Sequence, residues 1–402
     1  MREGCTISSQ KDWEEISLKE VTTKIGSGVT PIGGSSVYIN NGTSLIRSQN
    51  IYNGYFDTGG LVYINDETAK KMSNVEIFEN DVLINITGDS VARCTIVPKE
   101  ILPARINQHV SILRCNKNKI ESRFLKYTLI SPYYQSVLLS IATGAGATRN
   151  ALTKSILEDL KINLPPLETQ KKIASILSAY DDLIENNLKR IKILEEMAQQ
   201  TYEEWFVRMR FPGYESVKIN KETGLPEGWE RLYFKNILNF KTGKLDSNAL
   251  DINGEFDFYT CAKEVYKTNS YCFEGEAVLL GGNNATGDFA LFYADSKFDA
   301  YQRTYIVTSK INDLPLVYVY QVLRTYLPHF KIVSSGASTK FLTMRILDKT
   351  KIVVPNDEIL KSFFNIAKPC FENILNLQNQ NQRLREARDI LLPRLMMGMI
   401  EV

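Results

Sequence analysis

Histidine is nearly missing from this chain, with His109 and His329 the only two in 402 residues. The six cysteines (Cys5, Cys94, Cys115, Cys261, Cys272, Cys370) stand singly, without Cys-x-x-Cys spacing. Together these absences exclude a zinc set, and the thiols read as reduced, mostly buried groups of a cytosolic protein. No apolar run is long enough to cross a bilayer, and the opening Met-Arg-Glu-Gly-Cys has no signal-peptide core. An excess of one charge is also lacking, since 48 Lys plus Arg face 46 Asp plus Glu. Any nucleic-acid surface must therefore come from local patches.

Catalytic loops are missing too. An amino-methyltransferase holds its target amine with an Asn- or Asp-Pro-Pro-aromatic loop, and the one Pro-Pro here lies in Leu164-Pro165-Pro166-Leu167. Gly144-Ala-Gly146 lacks the third glycine of a dinucleotide loop, and Thr242-Gly243-Lys244-Leu245 lacks the hydroxyl and upstream glycine of a phosphate loop. Glu158-Asp159-Leu-Lys161 and Asp348-Lys-Thr-Lys351 could in principle bind Mg²⁺. Both fall at one point of an internal repeat, just before a proline-led helix, so they read as solvated turns. His109, at the start of an apolar strand, reads as a hydrogen-bonded structural residue.

What the chain does contain is a duplication. Gly146-Ala147, Leu152-Thr153, Ile156-Leu157, Lys161-Ile162, Pro165 and Glu168 return 190 positions later as Gly336-Ala337, Leu342-Thr343, Ile346-Leu347, Lys351-Ile352, Pro355 and Glu358. Trp13-Glu-Glu-Ile16 and Trp229-Glu-Arg-Leu232 open the two copies, and Gln108 and Gln302 hold related places within them. The second copy is shorter, the difference falling mainly before Phe273. Such a repeat offers one function at two sites. Within each copy, β-branched and aromatic runs between Gly, Asn and Asp give strands at Asp81 to Ile86, His109 to Leu113, Ala277 to Leu280 and Thr304 to Thr308. Short helices are expected around Glu121 to Tyr134 and Leu316 to Leu327.

From Glu168 the apolar period changes. Ile173, Leu177, Tyr180, Ile184, Asn187, Ile191, Leu194, Ala198, Thr201 and Trp205 follow at steps of four and three, the spacing of a coiled-coil seam. The same register in the second copy gives Phe363, Ala367, Cys370, Ile374, Leu377, Asn381, Leu384, Arg388, Leu391 and Leu395. Arg388 spoils one place in that seam, and Pro369 is expected to kink the helix by removing a backbone donor. Asn187 and Asn381 each place a polar group in a seam, where a buried polar group fixes register.

These residues resemble the specificity (S) subunit of Type I restriction-modification systems. The most specific segments are Leu164-Pro-Pro-Leu-Glu-Thr-Gln-Lys-Lys-Ile173 leading to Trp205-Phe206, and Leu384-Arg-Glu-Ala-Arg-Asp-Ile-Leu-Leu-Pro-Arg-Leu395 before Gly398. The resemblance implies a mixed α/β (α+β) fold: two strand-rich target recognition domains separated by two long antiparallel coiled-coil helices, with a pseudo-twofold internal repeat. The expected division is 1–166 and 229–356 for the recognition domains, 167–210 and 357–402 for the spacer helices, and 211–228 for a linker. It further implies a prokaryotic, cytoplasmic subunit that binds double-stranded DNA, with two methyltransferase (M) subunits docked on the helices and restriction (R) subunits in the larger complex. Chemistry would be imported: S-adenosylmethionine, ATP and Mg²⁺ belong on the partners, and adenine N6 is the expected methylated atom. Ile173, Leu177, Tyr180, Ile184, Asn187, Ile191, Leu194, Trp205, Ile374, Leu377, Asn381, Leu384, Leu391 and Leu395 are the spacer and docking candidates. Deleting whole heptads between Glu185 and Gln199 is expected to change the spacing of the recognised halves.

Base reading needs Arg for guanine and Asn or Gln for adenine, with lysines and hydroxyls for phosphates. In the first copy the candidates are Lys24, Thr30, Arg47, Gln49, Asn50, Asn85, Thr87, Arg105, Asn107, Gln108 and Arg149. In the second they are Lys241, Lys244, Asn283, Asn284, Tyr301, Gln302, Arg303 and Lys340. A coiled-coil DNA-binding or scaffold protein outside restriction, or a stand-alone nuclease or methyltransferase, are the other classes open at this point. The enzymes would act with metal or S-adenosylmethionine alone, and a scaffold would not retain duplex.

Overall fold

The computed structural model describes residues 13–144, 151–311, 314–336 and 338–402. They form two compact units, the first taking the chain to Asn186 and again Asn381–Val402, the second Asn187–Gln380.

In the first unit, strand Glu14–Ser17 pairs antiparallel with Lys161–Leu164, with Ile16 opposite Ile162. The pair joins the start of the globular body to its end. Pro165 and Pro166 then stop the strand, since proline offers no ladder donor, and the helix Leu167–Tyr202 begins at once. Gln170, 1 % exposed, fastens that helix to the body. Its amide donates to the Lys119 and Pro165 carbonyls, and its oxygen accepts the Glu121 N–H.

The main sheet runs Thr22–Ser27, Val110–Cys115, Val82–Asn85, Cys94–Ile96, antiparallel throughout. Strand Val82–Asn85 is buried on both faces, which explains its unbroken apolar run. Leu83 and Ile112 join one core with Leu45 and Ile46 of a second, four-stranded sheet. Val82, Ile84 and Leu113 join the other, with Phe124 and Leu125 of helix Ser122–Ile130 and Leu138 of helix Pro132–Thr143.

The second unit repeats this plan. Strand Glu230–Tyr233 pairs with Lys351–Val354. The main sheet starts with the equivalents Leu238–Thr242, Thr304–Ser309 and Phe273–Gly281, then extends through Leu291–Ala300, Phe256–Tyr259 and Val265–Thr268. Helix Leu316–Val333 covers it, with Val278, Leu280 and Val307 packed with Val317 and Leu323. Helices Lys154–Asp159 and Met344–Lys349 occupy matching positions 190 apart. The copies differ where the first builds its second sheet and the second lengthens its main sheet, which is why their numbering drifts there.

Two long helices, Leu167–Tyr202 and Asp357–Met396, each contribute to both units. Within the first unit, Ile173, Ala174 and Leu177 pack with Leu392, Leu395 and Met396. Within the second, Ile191 and Leu194 meet Ile374 and Leu377, and Ala198, Tyr202 and Phe206 meet Phe363, Ala367 and Cys370. In each unit, positions rising on one helix meet positions falling on the other, so the pair is antiparallel. Trp205 stands edge-on to Phe363 at 6.2 Å. Ile184, Asn187 and Asn381 are buried, while Tyr180, Leu384 and Leu391 are half-buried. Asp357–Met396 is one continuous helix that includes Pro369. Ala367, Cys370 and Phe371 beside the proline are buried in the core of the second unit. Arg388 does not weaken its place either, because its guanidinium pairs with Asp181 at 2.8 Å.

Cys94, Cys115 and Cys370 are buried and, like Cys261 and exposed Cys272, free. No helix among the described residues is long and apolar enough to cross a membrane.

Candidate nucleic-acid interface

In the first unit, Ser27 lies opposite Ser111 and Asn85 opposite Val110, so three loops leave the main sheet at one end. They are Gly28 to Thr30, Ile86 to Gly88 and Asn107 to His109. Parallel strands Thr43–Ile46 and Ala104–Ile106 bring the Arg47 loop to the same end, and the Asn107 N–H donates to the Ile46 carbonyl at 3.0 Å. Gly28 lets the first loop close, because any Cβ there would lie inside the Ile106 and Asn107 carbonyls.

A polar relay crosses these loops. The Thr30 hydroxyl donates to Gln108 Oε1. Gln108 Nε2 lies 3.3 Å from His109 Nε2, and His109 Nδ1 lies 2.6 Å from Thr87 Oγ1. An amide N–H can only donate, so His109 accepts at Nε2 and gives its Nδ1 proton to Thr87. Thr30 and Gln108 are exposed, Thr87, Asn107 and His109 half-exposed. Thr87 also bridges Ala151, two residues after Arg149, which lies outside the described residues. Exposed Gln49 and half-buried Arg47 share the Gly60 carbonyl, and the Arg47 guanidinium stacks over Tyr38 at 5.6 Å.

Four candidates are placed differently from the sequence expectation. Asn50, fully buried, accepts the Arg47 N–H and donates to the Asp57 and Gly59 carbonyls. Asn85 donates to Ser48 and Ser90. Arg105, 7 % exposed, donates to the Ala69 and Ala104 carbonyls and pairs with Glu76. Lys24 sits in mid-strand, bonded to the Asn74 carbonyl, and burial beside Arg114 lowers its pKa. Their donors are committed to partners within the unit, and those of Asn50 and Asn85 brace the loop that carries Arg47 and Gln49.

The second unit gathers its candidates at the equivalent sheet end. Thr242 is opposite Tyr305 and Gly281 opposite Thr304, so the loops at Gly243 to Leu245, Gly282 to Thr286 and Tyr301 to Arg303 converge. Gly243 repeats the role of Gly28 against the Ala300 and Tyr301 carbonyls, and Gly282 is as tight against Arg303. Asn283 and Asn284 pair with Phe341 and Lys340, as Thr87 pairs with Ala151 in the first unit. Lys244, Gln302 and Arg303 are exposed, Tyr301 and Lys340 half-exposed, and Arg303 lies over the Phe341 ring at 5.4 Å. Asn284 Oδ1 is committed to its own loop, accepting the N–H of Thr286 and of Asp288. Lys241 is exposed on its strand, two residues before the loop.

One cluster has no counterpart among the sequence candidates. Asp181 accepts hydrogen bonds from Lys126 Nζ at 2.8 Å, Tyr127 Oη at 2.6 Å and Arg388 Nη1 at 2.8 Å. Burial raises the Asp181 carboxyl, but these three donors outweigh it and hold the pKa below its ordinary 3.8. The only sequence signal was an acid one turn from the seam. Among the described residues no group of three or more His, Cys, Asp or Glu could hold a metal ion. The Asp159 carboxylate, weighed earlier for Mg²⁺, pairs with Lys19 at 3.1 Å.

The model of the Type I restriction modification DNA specificity domain matches residues 10–196 and again 226–385. The chain is 25 % identical to the MjaIX specificity subunit of Methanocaldococcus jannaschii, over 98 % of this chain and 94 % of that one. It is 32 % identical to the EcoDI specificity subunit of Escherichia coli over 42 % of this chain and 36 % of that one. In fold it is similar to a solved S subunit from M. genitalium, with a TM-score of 0.61, 16 % identity and 98 % of both chains covered.

Proposed function

Since the chain belongs to the Type I restriction-modification DNA specificity family, and so is a DNA-recognition subunit without catalysis of its own, we propose that each unit reads one half of an interrupted duplex target. The paired long helices then dock two methyltransferase subunits, which methylate adenine N6 in both halves with S-adenosylmethionine. Restriction subunits, with ATP and Mg²⁺, join the larger assembly. The observation that carries this reading is the recurrence of one polar loop cluster at the same sheet end in both units. Two faces with different side chains suit two half-sites with different bases.

Reading falls to the exposed polar residues of these loops: Thr30, Gln49 and Gln108 in the first unit, and Lys244, Gln302 and Arg303 in the second. Arg47 contributes what its bond to Gly60 leaves over. Each bidentate base contact is worth about 1 to 3 kcal/mol of discrimination. Replacing Gln302 and Arg303 together by alanine should therefore relax the second half-site while the first stays intact. Mapping methylated adenines in cells carrying each version checks this. A variant that methylates an unchanged set of sites would remove those two residues from the reading.

A further inference from the structure

The two copies differ in charge at four matched positions. In the first unit, Lys161 pairs with Glu15 at 3.0 Å and Lys19 with Asp159 at 3.1 Å. Both pairs straddle the small sheet and the short helix Lys154–Asp159. At the equivalent positions of the second unit stand Lys351 and Arg231, and Lys235 and Lys349. Each acid has become a base, so two ion pairs have become two pairs of like charges.

The recess beside them supplies no replacement anion. Arg345, Lys349 and Lys351 line a recess of about 800 Å³, with His329, Ser335 and Thr343 beside them and no Asp or Glu in its wall. Lys235 and Lys351 both rest over the Tyr233 ring, at 5.5 and 4.7 Å. None of the five cations makes an ion pair among the described residues. Adjacent like charges oppose folding, so such a cluster is relieved by a polyanion. Its place matters as well. Ser335 bridges Phe341, the neighbour of Lys340, so the recess starts at the loop cluster of the second unit and follows helix Met344–Lys349 away from it. Hydroxyls at the near end and cations at the far end match the donors that proteins direct at phosphates.

We infer that this strip binds the sugar–phosphate backbone of duplex DNA adjoining the half-site read by the second unit, a contact that the first unit lacks. The inference rests on the recognition role proposed above and adds an asymmetry to it: one unit holds its half-site by the reading loops alone, the other also by backbone.

The test is an exchange of Arg231→Glu and Lys349→Asp in the full chain. These substitutions install the ion pairs that the first unit already accommodates, and a thermal melt verifies that the fold is retained. The probe is a random duplex of roughly 40 base pairs, titrated by fluorescence anisotropy at several salt concentrations. Losing at least two phosphate contacts should make the salt slope shallower by about 2 or more, so that between 50 and 200 mM salt the variant loses at least about tenfold less affinity than the parent. The reciprocal exchange, Glu15→Arg with Asp159→Lys, should steepen it. An unchanged slope in the first exchange overturns the strip, and if the Gln302 and Arg303 variant still loses its half-site the recognition reading survives that failure. A parent chain that retains no duplex overturns both. An exchange that binds DNA normally but no longer co-purifies with its methyltransferase partner overturns the strip in favour of a protein contact.

Discussion

Asp181→Ala is expected to destabilise the first unit by about 2 to 4 kcal/mol, because removing one partner of a buried ion pair leaves the others charged and uncompensated. Three donors converge on this carboxylate, and its side chain is only 18 % exposed. Lys126, at 9 %, would have to keep its charge without an acceptor, and Arg388, at 20 %, would keep only Asp389. The second unit shows that the fold does not require ions here. At the matching positions it has Tyr320 for Lys126, Phe371 for Asp181 and Ala198 for Arg388, with the Tyr320 and Phe371 rings edge-on at 5.0 Å. The triple exchange Lys126→Tyr, Asp181→Phe, Arg388→Ala should therefore recover most of the stability that the single change removes. Acid separates the two solutions. A carboxylate whose folded pKa is depressed contributes stability that is complete above its unfolded pKa and disappears as pH falls through the folded value. The parent should accordingly lose stability below about pH 4 more steeply than the triple variant. Urea unfolding of the full chain at pH 7 and pH 3 measures both. A single variant within about 0.5 kcal/mol of the parent, the usual range for an inert surface change, would mean that the cluster contributes nothing net.

The contrast between these matched sites shows where sequence reasoning succeeds. Period and register were legible: the strand at Asp81, the helix after Pro166 and the 190-residue shift of the final elements depend on local pattern, and the structure carries them nearly residue for residue. The choice between a donor facing solvent and one facing the fold was not legible. Arg105 and Arg303 are the same residue type, each within three residues of a matched glutamine, yet one is enclosed by Ala69, Ala104 and Glu76 while the other is exposed. Burial of that kind is decided by the second sheet of the first unit, whose strands are distant in sequence. The Asp181 cluster was hidden for the same reason, since its four members span residues 126 to 388. The cationic strip was present in the residues from the outset. It emerges only when the two copies are compared position by position on a shared fold.

The same comparison makes Gly28 and Gly243 the positions at which a single methyl group should have the largest effect on reading. Neither has a positive φ, so backbone strain is not the reason that glycine stands there; the carbonyls of Ile106 and Ala300 occupy the space a Cβ would need. Gly28→Ala must part its loop from the Asn107 to His109 loop, and Gly243→Ala must do the same beside Tyr301 to Arg303. Overpacking of this kind costs about 1 to 3 kcal/mol, and here the strain falls on the N–H of Gly28 to the Val110 carbonyl and of Gly243 to the Thr304 carbonyl. Each substitution moves one reading cluster while leaving the other unit untouched. The expected phenotypes are therefore complementary. Gly28→Ala should stop discriminating the first half of the target while still rejecting a scrambled second half, and Gly243→Ala should do the reverse. Competition binding with duplexes scrambled in one half at a time separates these outcomes. If either single substitution abolished discrimination at both halves, the units would not be independent readers, and a duplicated fold would have to be serving one continuous site.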